Sequence, residues 1–140
     1  MIDASACVWS ILPALASVDV RQRFGQWRET GVRLVSPTLW LPECVSAVRS
    51  AVHGGVLRRR DADDALENLF DLDVELEEVD RPLCRAAFGW ADRLGQRRAY
   101  DAFYVALAER LATELWTADR RLANAASREG APWVRWIGAV

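Results

Sequence analysis

Residues 100–122 constrain the fold more than any other part of the chain, because they predict a helix, a short strand and the start of a second helix. The run Leu115-Trp116-Thr117 between the two helices is typical of a buried strand. In the first helix, helical spacing places Asp101 on one side together with Val105 and Ala108. A carboxylate therefore stands at the beginning of an otherwise apolar helix face. The strand that follows this helix must be covered by other elements.

Short strands alternate with helices along the rest of the chain as well. Glycines end several predicted helices, and Ser36 and Pro37 predict a turn. The predicted strands are residues 1–3, 32–35, 74–79, 115–117 and 134–137. The predicted helices are residues 6–15, 18–31, 39–53, 61–70, 81–94, a helix from Tyr100, and residues 118–126. This alternation predicts one three-layer α/β/α domain over residues 1–140, with a short, mostly parallel sheet in its centre.

Two of the predicted helices are amphipathic, so their core-facing residues can be named in advance. In residues 39–53 the apolar stripe consists of Leu41, Val45, Val48 and Val52. Glu43 lies off this stripe, among mostly small and apolar neighbours. In residues 61–70 the inward residues are expected to be Ala65, Leu66, Leu69 and Phe70.

Asp101 and Asp119 each stand at the beginning of a predicted helix, and two interpretations fit such a residue. An aspartate there can accept hydrogen bonds from free N–H groups and complement the helix dipole. Two such acids joined by one short strand also favour a shared site, because the strand returns Asp119 toward Asp101. The residues themselves leave both interpretations open.

Two more acids are expected near the same edge of the sheet. Asp3 ends the first predicted strand, and Glu43 lies in an early turn of its helix. In open parallel sheets, sites form beyond the carboxyl ends of the strands. The sequence therefore predicts that Asp3, Glu43, Asp101 and Asp119 converge in one cleft.

Four carboxylates in one cleft cannot all stay ionised without a counter-charge, because each raises the pKa of its neighbours. Mg²⁺ and Mn²⁺ bind carboxylate and water oxygens and can activate water against a phosphodiester. The predicted reaction is therefore metal-dependent phosphodiester hydrolysis. Asp3, Asp101 and Asp119 would be ligands, directly or through water, and Glu43 would help to place a second metal or orient the attacking water. Ser5, a plausible N-cap, and Thr117 would hydrogen-bond the ligands or the substrate.

Other catalytic and metal-binding classes find little support in the composition. Cys7, Cys44 and Cys84 lack zinc spacing and are expected to be buried, reduced thiols. His53 is the single histidine and ends a predicted helix, which favours a surface or capping role over catalysis. The net charge of −2 gives no global basic field for a polyanion.

Tryptophan and arginine are the two residue types that raise the question of nucleic-acid contacts. The chain has seven tryptophans, which favours a dimer through apolar and aromatic surfaces of the helices within residues 18–51. Four tryptophans are expected in core or dimer packing: Trp9, Trp40, Trp90 and Trp116. For three tryptophans the sequence does not decide between packing and stacking on bases: Trp27, Trp133 and Trp136. The run of arginines at 58–60 either contacts phosphate or is the solvated start of a helix, which is the commoner role.

No run of 18 apolar residues is present, so the sequence predicts no membrane span. Residues 4–18 imitate the core of a signal peptide, but Asp3 stands where a basic residue belongs. We therefore expect a cytoplasmic protein.

Four short motifs follow one another along the chain: Met1-Ile2-Asp3-Ala4-Ser5, Pro37-Thr38-Leu39-Trp40-Leu41-Pro42-Glu43, Tyr100-Asp101-Ala102 and Thr117-Ala118-Asp119-Arg120-Arg121-Leu122. Taken in this order, they resemble the PIN domain, and specifically the VapC-type toxins of prokaryotic toxin–antitoxin pairs. The resemblance covers essentially the whole chain. It implies a metal-dependent endoribonuclease that uses Mg²⁺ or Mn²⁺, acts on RNA and forms a homodimer. It also implies an antitoxin whose tail occupies the active site. Carried over by position, its acidic set is Asp3, Glu43, Asp101 and Asp119.

Two other classes are compatible with an α/β domain of this kind. A phosphotransfer protein that uses Asp3 as nucleophile would need an acid where Ser5 stands and a lysine, which the chain lacks. A non-catalytic interaction or RNA-processing module on the same fold stays open, because fold alone does not define function. Binding of Mn²⁺ would distinguish the enzyme from the module.

Overall fold

The helices and strands follow the predicted alternation, in a computed structural model that describes residues 1–12 and 18–138. They are α1 Ala4–Ile11, α2 Val18–Glu29, β1 Val35–Pro37, α3 Trp40–His53, α4 Ala62–Phe70, β2 Glu75–Glu77, α5 Arg81–Arg93, α6 Tyr100–Arg110, β3 Leu115–Thr117, α7 Arg120–Arg128 and β4 Val134–Trp136. The first helix, predicted for residues 6–15, begins two residues earlier and ends at Ile11, where the extended Leu12 closes it, so its predicted continuation through Leu12 is wrong. The predicted end at Leu15 lies outside the described residues.

The N-terminal segment, residues 1–3, connects two pairs of strands. β1 pairs in parallel with β2, and β3 pairs in parallel with β4. Ile2 forms a parallel bridge with Trp116, and its N–H also donates to the Val35 carbonyl at 3.3 Å. The strand order is therefore β2, β1, the N-terminal segment, β3 and β4, with the acidic β2 at an edge. Parallel pairing brings the carboxyl ends of these strands to one side of the sheet.

Helices cover this sheet in two groups. α1, α3 and α4 pack against one another, whereas α5 packs along α6. α6 contacts both β1 and β3, and its side chains from Ala102 to Ala108 are almost all buried. The three-layer α/β/α fold class is thereby confirmed.

The core-facing stripe of α3 differs from the predicted one. The buried residues of this helix are Trp40, Cys44 and Val48, spaced four apart, whereas Val45 is 41% exposed. The prediction missed this face because it weighed the valines and gave no weight to a buried tryptophan and cysteine. Val45 and Val52 instead line a surface groove between α3 and α4.

Phe70 is a second wrong assignment to the core. It is the last residue of α4 and 53% exposed. The buried residues of this helix are Ala62, Ala65 and Leu69, which lie three and four residues apart on one face. Phe70 follows Leu69 directly, so its side chain lies off this buried face.

The turn predicted at Ser36 and Pro37 is part of strand β1. Both residues are buried, Pro37 lies opposite Glu77, and the Ser36 hydroxyl donates to the Ile2 carbonyl. A proline is tolerated here because the strand ends at this residue, so only one ladder donor is missing.

The three cysteines do not share one environment. Cys7 and Cys44 are buried thiols, as predicted, and their mutual contact together with burial raises the pKa of Cys7. Cys84 is exposed on α5, so its predicted burial is wrong.

The arginine run at 58–60 is exposed and pairs with acids at the start of α4. Arg58 lies 2.5 Å from Asp61, and Arg59 lies 3.4 Å from Asp63. This is the geometry of a solvated helix start. His53 is exposed at the end of α3. Within residues 1–12 and 18–138, no helix has the length and apolar character needed to cross a membrane.

Candidate active site

The four acids line one cleft of about 820 Å³. Ser5 lies in the same lining, whereas Thr117 is buried beneath it. The acids come from the N-terminal segment, the first turns of α3 and α6, and the residue before α7: Asp3, Glu43, Asp101 and Asp119.

Asp3 is both the end of a strand and the start of a helix. Its backbone N–H donates to the Trp116 carbonyl, and its carboxylate caps α1 by accepting from the Ala6 N–H at 2.7 Å. Asp3 is therefore the N-cap, and the expectation that Ser5 caps this helix is wrong. Asp3 is almost completely buried, at 5% exposure.

Ser5 and Thr117 form a hydroxyl pair between Asp3 and Asp119. The Ser5 hydroxyl donates to Asp3 Oδ1 at 2.8 Å and lies 3.2 Å from the Thr117 hydroxyl. Thr117 accepts from the backbone N–H of Asp119, and Ser5 accepts from that of Ala118. The two hydroxyls thus link α1 to the end of β3 and fix the start of α7.

Asp119 is the N-cap of α7, as the capping interpretation requires. Its Oδ1 accepts from the N–H groups of Arg121 and Leu122 at 2.8 and 3.2 Å. Because both donors bind the same oxygen, Oδ2 is not needed for the cap. Asp119 is exposed, so this carboxylate also faces the cleft.

Asp101 does not act as a cap. The N-cap of α6 is Ala99, which makes no side-chain cap, and Asp101 Oδ2 instead accepts from the Gln96 side-chain amide at 2.9 Å. For Asp101 the capping interpretation therefore fails. What holds it is a side chain of the preceding loop.

Glu43 is bound by a buried phenol. The Tyr104 hydroxyl, on α6, donates to Glu43 Oε2 at 2.5 Å. Tyr104 is 1% exposed, and burial together with Glu43 raises its pKa, so it remains a donor. This contact links the first turn of α3 to the middle of α6.

Burial and mutual repulsion make ionisation of the acids costly. Burial raises the pKa of Asp3 to about 6, although hydrogen bonds from Thr117, Ala6 and Ser5 act in the opposite direction. Burial is also the main reason for the raised pKa values of Glu43 and Asp101. The charge of Asp101 adds to the shifts at Asp3 and Glu43, and the charge of Asp119 adds to that at Asp101. Asp101 is therefore electrostatically connected to each of the other acids.

The donor set fits a hard divalent cation held partly through water. The hydrogen bonds described for Glu43, Asp101 and Asp119 use one oxygen of each carboxylate, so the second oxygen can accept a ligand. A cation would also relieve the repulsion that raises their neighbours' pKa values. Among the described residues, no three potential ligands are gathered closely enough to hold an ion directly. Mg²⁺ and Mn²⁺ keep several of their waters in proteins, so carboxylates can also hold these ions through water.

The cleft also contains residues that the sequence did not suggest. Trp9, expected in core or dimer packing, is half-buried and lines it, as do Tyr100 and the exposed Arg98. Gln96 and Tyr104 act behind the acids. The spacing of Tyr104 from Asp101, three residues along one helix, was the signal that could have identified it.

Four of the six remaining tryptophans serve packing within the chain. Trp40 and Trp90 are buried, as predicted. Trp116 is half-buried beneath α2, where its ring meets that of Trp27 at 5.6 Å and the Arg23 guanidinium at 4.3 Å. The sequence left base stacking by Trp27 undecided, and in the structure its ring packs internally against Trp116.

The chain was compared with models of protein families. The family model described as PIN domain matches residues 1–127. The matched span includes the four acids, ends in the last turn of α7 and leaves β4 beyond it. No curated protein matches the chain.

Proposed function

Because this chain belongs to the PIN domain family, whose members are generally nucleases, we propose that it is a metal-dependent endoribonuclease that hydrolyses RNA phosphodiester bonds. One observation carries the proposal, namely the single cleft lined by Asp3, Glu43, Asp101 and Asp119. Carboxylates that raise one another's pKa are unfavourable in an isolated domain, and a divalent cation removes that cost. The whole of residues 1–140 would act as one catalytic domain.

Mg²⁺ or Mn²⁺ is the cofactor that suits these ligands. Asp3, Asp101 and Asp119 would hold it, directly or through water, with Glu43 placing a second ion or orienting the attacking water. Such a cation supplies positive charge against the phosphate and lowers the pKa of water.

The chain's own residues would fix the geometry of the reaction. Ser5 and Thr117 hold Asp3 and the start of α7 in place. Gln96 and Tyr104 orient Asp101 and Glu43 from behind. Such outer hydrogen bonds keep ligand carboxylates in a productive orientation and are needed for full activity.

We further propose that the enzyme is a cytoplasmic VapC-type toxin of a type II toxin–antitoxin system. The order of its four acidic motifs supports this assignment. The partner would be an antitoxin protein whose tail occupies the acidic cleft. Growth arrest on expression, abolished by the Asp101→Asn substitution, is the expected result.

A homodimer would complete the proposed assembly. Exposed apolar side chains within residues 18–51 support it, at Val18, Val32 and Val45. Trp27 and Trp40 are packed internally and do not contribute. We expect light scattering at micromolar concentration to give twice the mass of the chain, and a monomer there would contradict the dimer.

The decisive experiment replaces Asp101 by Asn and measures cleavage and stability together. Asn preserves size and the acceptor for Gln96 but removes the charge that connects the four acids. Cleavage of an oligoribonucleotide in Mn²⁺ should fall by orders of magnitude. Thermal unfolding in excess chelator should occur at the same or a higher temperature, because repulsion is relieved.

The matched control is Asp92→Asn, which alters an exposed aspartate of α5 outside the cleft. It should cleave RNA at the rate of the parent. A destabilised Asp101→Asn variant that still cleaves RNA would overturn the metal-nuclease proposal. A parent that cleaves no RNA and binds no Mn²⁺ in a calorimeter would identify the non-catalytic module instead.

A further inference from the structure

The acidic cleft is lined by apolar and aromatic side chains, here called its wall, as well as by the four acids. Tyr100, the first residue of α6, is 56% exposed in the cleft lining, and Trp9 of α1 is half-buried there. Smaller apolar side chains complete the wall: Val8, Leu39, Pro42 and Ala47. An exposed tyrosine ring and a half-buried indole in the same lining offer flat apolar area to a ligand.

Charge in the cleft opposes a polyanion. Its lining has one guanidinium, that of Arg98, against four carboxylates, a formal charge of −3. One divalent cation would reduce this only to −1. Phosphate contacts alone therefore cannot supply most of the affinity for a nucleic acid, as they do in basic grooves.

Stacking of bases on aromatic side chains can supply the affinity that phosphate contacts do not. Replacing an aromatic side chain on which a base stacks by alanine weakens binding by roughly 5- to 150-fold, whichever base it is. A base within a duplex is already stacked and paired, so it cannot use the wall without being extruded. The wall should therefore bind unpaired bases in preference to bases within a duplex.

We propose that Tyr100 and Trp9 form a stacking subsite for one unpaired nucleobase, and that Arg98 contacts the phosphate beside it. The substrate class is single-stranded or looped RNA. This inference rests on the proposed nuclease function, since the base would flank the phosphodiester held over the acids. Tyr100 and Trp9 set specificity in it and take no part in the chemical step.

The test measures binding of a fluorescent oligoribonucleotide by anisotropy in excess chelator, so it needs no cleavage. The parent should bind the single strand at least tenfold more tightly than the same strand annealed to its complement. Tyr100→Leu should raise the Kd for the single strand roughly tenfold. Tyr100→Phe retains the ring and should stay within about twofold of the parent.

Two further variants serve as control and as independent probe. Phe88→Leu removes an aromatic side chain that is 69% exposed on α5 and outside the cleft, and should leave the Kd unchanged. Trp9→Leu should weaken binding as Tyr100→Leu does. If Trp9→Leu does not fold, the exposed Tyr100 still decides the outcome.

Salt dependence separates stacking from charge. The parent should show a slope of log Kd against log salt near 0.7, as expected for one phosphate contact with a single strand, and Arg98→Gln should bring it close to zero. A slope of about three or more would identify a basic groove and overturn the inference. Equal affinity of parent and Tyr100→Leu, equal affinity for single strand and duplex, or no binding by the parent would overturn it too. RNA cleavage with an unchanged KM in Tyr100→Leu would refute the subsite and leave the nuclease intact.

Discussion

Asp3 shows how one residue can serve structure and chemistry at some cost to stability. It caps α1 and carries a carboxylate that is almost completely buried, and burial raises its pKa to about 6. The protonated form is therefore favoured in the folded chain more than in the unfolded one. Its stabilising contribution is fully present below the unfolded pKa of 3.8 and is lost as the pH rises through about 6.

This linkage predicts how metal-free stability depends on pH. Between about pH 4 and pH 7 the free energy of unfolding should fall by roughly 3 kcal/mol through Asp3 alone, since the shift spans about two pKa units. Asp3→Asn should remove this component, because Asn caps a helix about as well as Asp but does not titrate. Guanidinium unfolding in chelator across this range measures both.

Comparing Asp3→Asn with the parent isolates Asp3, because the other acids with raised pKa values, Glu43 and Asp101, are present in both proteins. The stability difference between Asp3→Asn and the parent should therefore grow as the pH rises. A difference that is the same at every pH would show that Asp3 does not carry the predicted shift.

At the scale of single elements, α7 depends on an acid that the proposed site also needs. Asp119 caps this helix through Oδ1, whereas the cleft faces the same carboxylate. Serine can cap but cannot carry charge, and alanine can do neither. The two roles can therefore be separated by substitution.

We expect Asp119→Ser to keep nearly the stability of the parent in chelator and to lose RNA cleavage. Asp119→Ala should lose cleavage as well and about 1 kcal/mol of stability, the usual cost of a missing cap. Chemical denaturation and a cleavage assay, run on both variants, measure the two effects. A Ser variant as unstable as the Ala variant would show that Asp119 stabilises α7 in some other way.

How far the sequence predicts the elements depends on how strongly each one is marked. The sequence predicts α5 almost to the residue, because Gly95 follows its end, whereas the predicted residues 118–126 lie two residues before the observed α7. β1 was placed too early, since a strand of three residues has almost no periodicity to read.

The acids of the site were identifiable because each stands next to the end of a strand or the start of a helix. The residues that hydrogen-bond these acids, Gln96 and Tyr104, were harder to identify. Gln96 becomes relevant only when the loop before α6 folds against Asp101, and for Tyr104 the only signal is its spacing of three residues from Asp101. Trp9 packs against the core and also lines the cleft, and no local pattern predicts the second of these contacts.

At the scale of the whole molecule, the cleft should connect folding to metal concentration. A cation that binds only the folded chain stabilises it by about 2.7 kcal/mol at one hundred times its dissociation constant. For a domain of this size that raises the melting temperature by roughly 5–15 °C. The effect should exceed any contribution of surface ion pairs such as Arg33–Glu75, both of whose partners are largely exposed.

Calorimetric melts with increasing Mn²⁺ test this expectation without any RNA. The parent and Asp92→Asn should show the full rise, and Asp101→Asn should show little of it. A rise of equal size in Asp101→Asn would place the cation away from the four acids.

The position of the N-terminal segment in the middle of the sheet has a consequence for synthesis on the ribosome. The amino group of Met1 donates to the carbonyl of Glu114, 113 residues later, and Ile2 bridges to Trp116 just beyond it. At translation rates of about 5–20 residues per second, the first residues wait roughly 6–20 s for these partners. Asp3 and Asp119 meet only after that interval. A nascent chain of this protein therefore lacks its complete acidic cleft until Asp119 has been made and has met Asp3, so the nuclease proposed here cannot act while the elements from α1 to β3 are being translated.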